Sequence, residues 1–149
     1  MSWPLNERST TGSGADQVRR LVLDTSAYSH MRKGHPELVD LLAAAETLLI
    51  PVTVLGELEG AFELGSRARA NRQALTEFLS EPFVSILPTT PDVARHYGRV
   101  YARQRRSGRA VPVNDLWIAA AAIDSGGRLV TFDKDFGRIE ALDCTILAS

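Results

Sequence analysis

One cysteine, Cys144, stands among 149 residues, which excludes an intrachain disulfide and any Cys-based zinc site built within one chain. It is expected to serve as a small buried hydrophobe. Long apolar runs are also missing. The longest, Leu116 to Ile123, is far shorter than the ~20 residues of a membrane span. The stretch Met1 to Arg20 carries Ser9, Thr10, Thr11, Gly12, Ser13 and Gly14 but no apolar segment fit to be a signal-peptide core. We expect a flexible leader over 1–20, one folded domain over 21–149 and a cytoplasmic location. The three histidines, His30, His35 and His96, are scattered without metal-ligand spacing, so they are read as ordinary loop or helix residues, and no Ser-His-Asp nucleophile arrangement is indicated.

Charge of one sign is not in excess. The net charge of −1 gives the whole molecule no electrostatic reason to seek nucleic acid. Lysine is nearly absent: only Lys33 and Lys134 break an arginine monopoly among the 17 basic residues. Arg99, Arg103, Arg105, Arg106 and Arg109 crowd one segment with no acid among them. Arginine suits phosphate because its planar fork donates two parallel hydrogen bonds, although such a run also fits a solvated helix end.

What the chain does have is alternation. Arg20 to Leu23 reads as a buried strand running into the turn Asp24-Thr25-Ser26. Pro36 opens a helix to about Thr47, in which Leu38, Leu41, Leu42 and Ala45 recur at helical spacing. Leu48 to Val52 is a second strand, and Thr53 opens a helix lined by Leu55, Leu58 and Phe62. After Gly65 and Ser66 a further helix spans Arg67 to Leu79. Phe83 to Leu87 is a third strand; Thr90-Pro91-Asp92 starts a helix that ends at Ser107-Gly108. Asn114 is expected to cap a mostly buried helix that contains Trp117 and ends at Gly126-Gly127. Arg128 to Phe132 is a fourth strand, followed by the polar turn Asp133-Lys134-Asp135, and Asp143 to Leu147 a short edge strand.

Strands alternating with helices predict an α/β fold, a three-layer α/β/α sandwich around a central, mainly parallel sheet. Ligands of such sheets bind beyond the carboxyl ends of the strands, where strand order reverses. Asp24 and Asp133 end strands on that rim, and Glu57 and Asp115 lie near the starts of helices that begin there. Several carboxylates held close together oppose each other's ionisation. A bound Mg²⁺ relieves that repulsion and takes oxygen ligands, and Mn²⁺ fits the same set.

In order, these pieces resemble the PIN-domain family, most closely VapC-type ribonuclease toxins of bacterial toxin–antitoxin pairs, over Leu21 to Leu147. Leu21-Val22-Leu23-Asp24-Thr25-Ser26 is similar to the family's opening strand, Val54-Leu55-Gly56-Glu57-Leu58-Glu59-Gly60 to its glutamate helix, Asn114-Asp115-Leu116-Trp117-Ile118-Ala119-Ala120 to its third-acid motif, and Leu129-Val130-Thr131-Phe132-Asp133-Lys134-Asp135-Phe136 to its fourth. The resemblance implies Mg²⁺-dependent cleavage of RNA through Asp24, Glu57, Asp115 and Asp133, with Asp24 and Asp115 as main metal ligands and Asp133 and Glu57 completing the metal site. It further implies Thr25, Ser26, Asn114 and Thr131 as groups that orient carboxylates or contact phosphate, a homodimer, and an antitoxin partner. Asp135 is expected to be able to point away from the cluster. Two rival readings are a partner-dependent RNA-binding module with a degenerate site, and a phosphohydrolase using Asp24 as covalent nucleophile. The four retained acids argue against the first. Ser26, standing where the second needs an acid, argues against that one.

Overall fold

The computed structural model of the chain describes residues 19–149. The leader expected over 1–20 lies outside the described residues except for Arg19 and Arg20, and Arg20 belongs to the first strand, paired with Thr47. Five strands, β1 (Arg20–Leu23), β2 (Thr47–Pro51), β3 (Val84–Leu87), β4 (Arg128–Thr131) and β5 (Cys144–Ile146), form one sheet in the order β3-β2-β1-β4-β5. Every pairing is parallel. β1, β2 and β4 are nearly continuous apolar runs because strands covered on both faces have no solvent side to make polar.

Among the described residues six helices cover the sheet: α1 (Thr25–Arg32), α2 (Pro36–Ala43), α3 (Val52–Leu64), α4 (Ala68–Leu79), α5 (Pro91–Ser107) and α6 (Val113–Ser125). A short 3-10 helix, Lys134–Arg138, follows β4. The strand order grows outward from β1 to β3, then returns across β1 to β4. Right-handed crossovers therefore put α1 to α4 on one face and α5 and α6 on the other. The reversal falls between β1 and β4, whose neighbouring carboxyl ends carry Asp24 and Asp133.

Some predicted boundaries shift. The helix opened by Pro36 ends at Ala43 rather than Thr47, because Thr47 is drawn into register with Arg20. Val52 starts α3 instead of closing β2. Asn114 does not cap α6: Pro112 holds the cap position and Asn114 is already helical, which frees its side chain to reach another element. Thr90 caps α5 through its hydroxyl as expected. Gly108 and Gly126 stop α5 and α6 in the left-handed conformation (φ 70° and 74°) that glycine adopts without a Cβ penalty. Helix α1 replaces the expected turn at Asp24-Thr25-Ser26. Cys144 is half-buried on the edge strand rather than deep in the core, and burial and the adjacent Asp143 push its thiol pKa up. Trp117 is half-buried and stacks on Tyr97 with centroids 3.9 Å apart, so it packs α6 against α5.

Candidate active site

Asp24 closes β1 and caps α1. Its Oδ1 accepts hydrogen bonds from the Ala27 N–H (2.8 Å) and the Ser26 hydroxyl (2.8 Å). Its Oδ2 accepts from the Thr131 hydroxyl at 2.5 Å and from Ser26 at 3.0 Å. Only 3% of the residue is exposed, and that burial pushes its pKa up; the bonds from Thr131, Ala27 and Ser26 pull the other way, while the Asp133 charge adds to the rise.

The same hydroxyls tie the neighbouring strand end to Asp24. Thr131 Oγ1 accepts from the Asp133 N–H (2.9 Å), and Ser26 Oγ from the Phe132 N–H (3.0 Å). Thr131 is fully buried, so its hydroxyl is a fixed relay between the two acidic segments. Asp133 then caps the 3-10 helix, its Oδ1 accepting from the Asp135 N–H at 2.9 Å.

Glu57, in the second turn of α3, is oriented from two other elements. Thr25 donates its hydroxyl to Oε1 at 2.6 Å and Asn114 its amide to Oε2 at 3.5 Å. Thus Thr25, Ser26, Asn114 and Thr131 each hold one of the four predicted acids or its strand.

Asp115, in the first turn of α6, completes the cluster. Oxygens of Asp115, Asp133 and Asp135 lie within 4.8 Å of one another. Desolvation, then the charges of Asp133, Glu57, Asp24 and Asp135, push Asp115 up to about 7. A helix N-terminus ordinarily favours a charged carboxylate, so the rise measures how strongly burial and the other acids oppose it.

Asp135 is the residue whose place differs most from expectation. In extended chain, positions two apart face the same way, but a turn of uncertain geometry leaves that open. The cap made by Asp133 winds the segment into a 3-10 turn and brings Asp135 to the cluster, with Arg138 3.4 Å from it. The sequence signal was available in Asp133-Lys134-Asp135, an acid positioned to accept from the N–H two residues on.

His30 and His35 meet at Phe132: His30 stacks on its ring (3.8 Å between centroids), and His35, which caps α2, lies edge-on 5.0 Å from Phe132 and 5.9 Å from His30; His96 sits apart, 3.5 Å from Asp124. Arg32 and Lys33 line a groove beside Thr25, with Tyr28, Leu58 and Phe62 also in its wall.

An all-oxygen set of carboxylates fits a hard divalent cation: Asp115 cannot ionise cheaply beside its neighbours without one, and no thiolate or imidazole competes in the set. Sequence and structural relatives agree with the geometry. The chain is 30% identical to "Ribonuclease VapC5" of Mycobacterium tuberculosis over 119 residues, covering 80% of this chain and 87% of that protein. To "Ribonuclease VapC1" of Haemophilus influenzae it is 29% identical over 127 residues, covering 81% and 92%. Its fold superposes on a crystal structure of VapBC2 from Rickettsia felis, bound to a DNA fragment from the promoter, with a TM-score of 0.75 at 27% identity, covering 85% of this chain and 98% of that one. The PIN domain model matches residues 21–142, a span that takes in all five acids of the site, and the chain belongs to the PIN domain family.

Proposed function

We propose that this protein is a divalent-metal-dependent endoribonuclease, the toxin of a type II toxin–antitoxin pair, which hydrolyses RNA phosphodiester bonds with Mg²⁺ or Mn²⁺. The observation that carries this reading is the convergence of Asp115, Asp133 and Asp135 within 4.8 Å at the sheet's reversal point. The names of the two curated relatives described above, both ribonucleases, support it. Solved neighbours that are toxin–antitoxin complexes support an antitoxin partner. A homodimer and a cytoplasmic location belong to the same reading; among the described residues no helix is long and apolar enough to cross a membrane.

In this mechanism Asp24, Glu57, Asp115 and Asp133 remain the catalytic acids, joined by Asp135. Asp115, Asp133 and Asp135 converge to hold a cation; Asp24, immobilised by three donors, borders them without freedom to rotate. A bound cation would orient a water for in-line attack on phosphorus and neutralise charge on the transferring group. With a cation held there, Asp115 would bind it as the carboxylate, without the proton that burial and the neighbouring acids otherwise favour. Glu57, its carboxyl steered by Thr25 and Asn114, would border the attacking water and could accept a hydrogen bond from it. The test is cleavage of a mixed RNA pool by purified, antitoxin-free protein with Mg²⁺, with Mn²⁺ and with chelator. Cuts that require the metal are expected. Binding of RNA without hydrolysis under either metal would move the protein to a degenerate binding module.

A second readout does not depend on turnover. Asp115 titrates at about 7 in the folded protein against an ordinary 3.8, so the folded state holds a proton that the unfolded chain has released. Stability contributed by that proton is complete below about pH 4 and is lost as pH rises toward 7. Mg²⁺ should restore it, raising the melting temperature more near pH 8 than near pH 5.5. Equal shifts at the two pH values would remove Asp115 from the cation site.

A further inference from the structure

Of the arginine-rich segment, Arg99, Arg103 and Arg106 share one face of α5, Arg105 lies over Tyr101 and Arg109 follows the helix end; none belongs to the acid cluster. Arg99, Arg103 and Arg106 line a groove of about 780 Å³ together with Arg95 and His96, and no carboxylate lines it. Arg95 is paired with Asp92, and His96 lies 3.5 Å from Asp124. Arg99, Arg103, Arg106 and Arg109 have no ion-pair partner among the described residues. All four are exposed. Like charges stacked at helical spacing repel one another. The one acid of that face in α5, Asp92, stands at the helix start and is taken by Arg95.

The groove is joined to the catalytic segment. Arg103 and Gln104 also line a second hollow, of about 240 Å³, with Ser107, Arg109, Arg138 and Glu140, its one acid. Gln104 is buried and donates to the carbonyls of Arg109 (3.0 Å) and Arg138 (3.2 Å), fastening α5 to the 3-10 helix that carries Asp135. Arg138 reaches the Ala110 carbonyl (3.1 Å) and stands 3.4 Å from Asp135. A line of guanidinium groups therefore leads from the rim of the acid cluster along α5. From Arg99 to Arg106 it spans ~10 Å of helix.

We infer that this face is a track for the phosphate backbone of the RNA on one side of the cut, so that Arg99, Arg103 and Arg106 bind substrate without touching the reacting atoms. This rests on the ribonuclease reading. Guanidinium forks match phosphate oxygens in pairs, and contacts to the backbone alone carry affinity without sequence preference. An acidic polypeptide could meet the same charge, but the continuity of the track with the acid cluster favours the strand being cut.

The test compares wild type with the triple variant Arg99→Gln, Arg103→Gln, Arg106→Gln and with its triple lysine counterpart, on a mixed-sequence single-stranded RNA 20-mer and on RNA tetranucleotides. The glutamine variant should raise KM for the 20-mer at least ~10-fold with kcat little changed, and leave tetranucleotide cleavage as in wild type. Binding of the labelled 20-mer to the same arginine substitutions made in an Asp115→Asn background, which reads affinity apart from chemistry, should lose ~2 from the slope of log affinity against log salt, at ~0.7 per phosphate. The lysine variant should recover most of that slope. Unchanged KM and slope would overturn the track, and so would normal RNA binding with altered self-association, which would assign the groove to a protein contact. Wild type that binds the 20-mer with the full slope yet cuts nothing would sink the nuclease reading and leave the track standing.

Discussion

Asp115→Asn should reduce metal-dependent RNA cleavage by on the order of 10²- to 10³-fold while making the metal-free protein more stable near pH 8. The two effects have one cause. Asparagine keeps the shape of the side chain and removes a charge that sits among Asp133, Glu57, Asp24 and Asp135 and whose own ionisation they oppose. With a cation present that charge is useful, because it helps to bind and fix the ion. Without one it is an uncompensated repulsion, relieved by protonation below about pH 7 and fully exerted above it. Initial cleavage rates with saturating Mg²⁺ and melting temperatures in chelator, measured on the same preparations, decide the matter. A variant that cuts like wild type would take Asp115 out of the machinery. Lost activity with a lowered melting temperature in chelator would mean that the carboxylate is structural, and that the repulsion argument fails.

The acids were legible because Asp24 and Asp133 follow strand ends, and Asp115 and Glu57 fall in the first two turns of helices, in a chain where helices separate the strands. Parallel strands with crossover helices leave all such positions on one rim, so Asp24 and Asp133 could be brought together before any distance was known. The strand order itself places β4 beside β1, and with it Asp133 beside Asp24. What was not legible depends on contacts between elements. Helix α1 hides its face behind Ala27, Tyr28 and Met31, too few and too varied to show periodicity among Ser, Thr and His residues. Asn114 carries ordinary capping chemistry, and only the position of α3 reveals that its amide goes to Glu57 instead. Asp135 depends on one local hydrogen bond that turns the backbone. The arginine segment was visible as composition, but its division into a partnerless face and an arginine over Tyr101 (5.9 Å for Arg105) needed the helix packed in place.

The centre of the site is held by a hydroxyl rather than by an acid, and this can be isolated by Thr131→Val. Valine keeps the shape of threonine, so nothing is lost from packing in the sheet, where Thr131 is fully buried. Two bonds are lost at once: Asp24 Oδ2 gives up its shorter donor and keeps only the Ser26 hydroxyl at 3.0 Å, and the Asp133 N–H loses its acceptor. Removing one donor from a buried carboxylate and leaving the Asp133 N–H without its acceptor should cost about 2 to 3 kcal/mol of folding stability. The pH dependence carries a sign. The Thr131 bond favours the ionised form of Asp24, against a burial that raises its pKa, so valine should raise that pKa further. The stability gap between wild type and variant should therefore be widest where Asp24 is ionised and should narrow as falling pH protonates it. Denaturant titrations near pH 7.5 and near pH 5 measure both, and Thr131→Ser, which restores the hydroxyl, should recover the pH dependence even if the missing methyl costs some stability. Cleavage should fall with Thr131→Val and return with serine, since the hydroxyl sets the distance between the strand ends that carry Asp24 and Asp133. A gap that stayed constant with pH would show that Thr131 acts by packing alone, and would leave Asp24 held by Ser26 and Ala27.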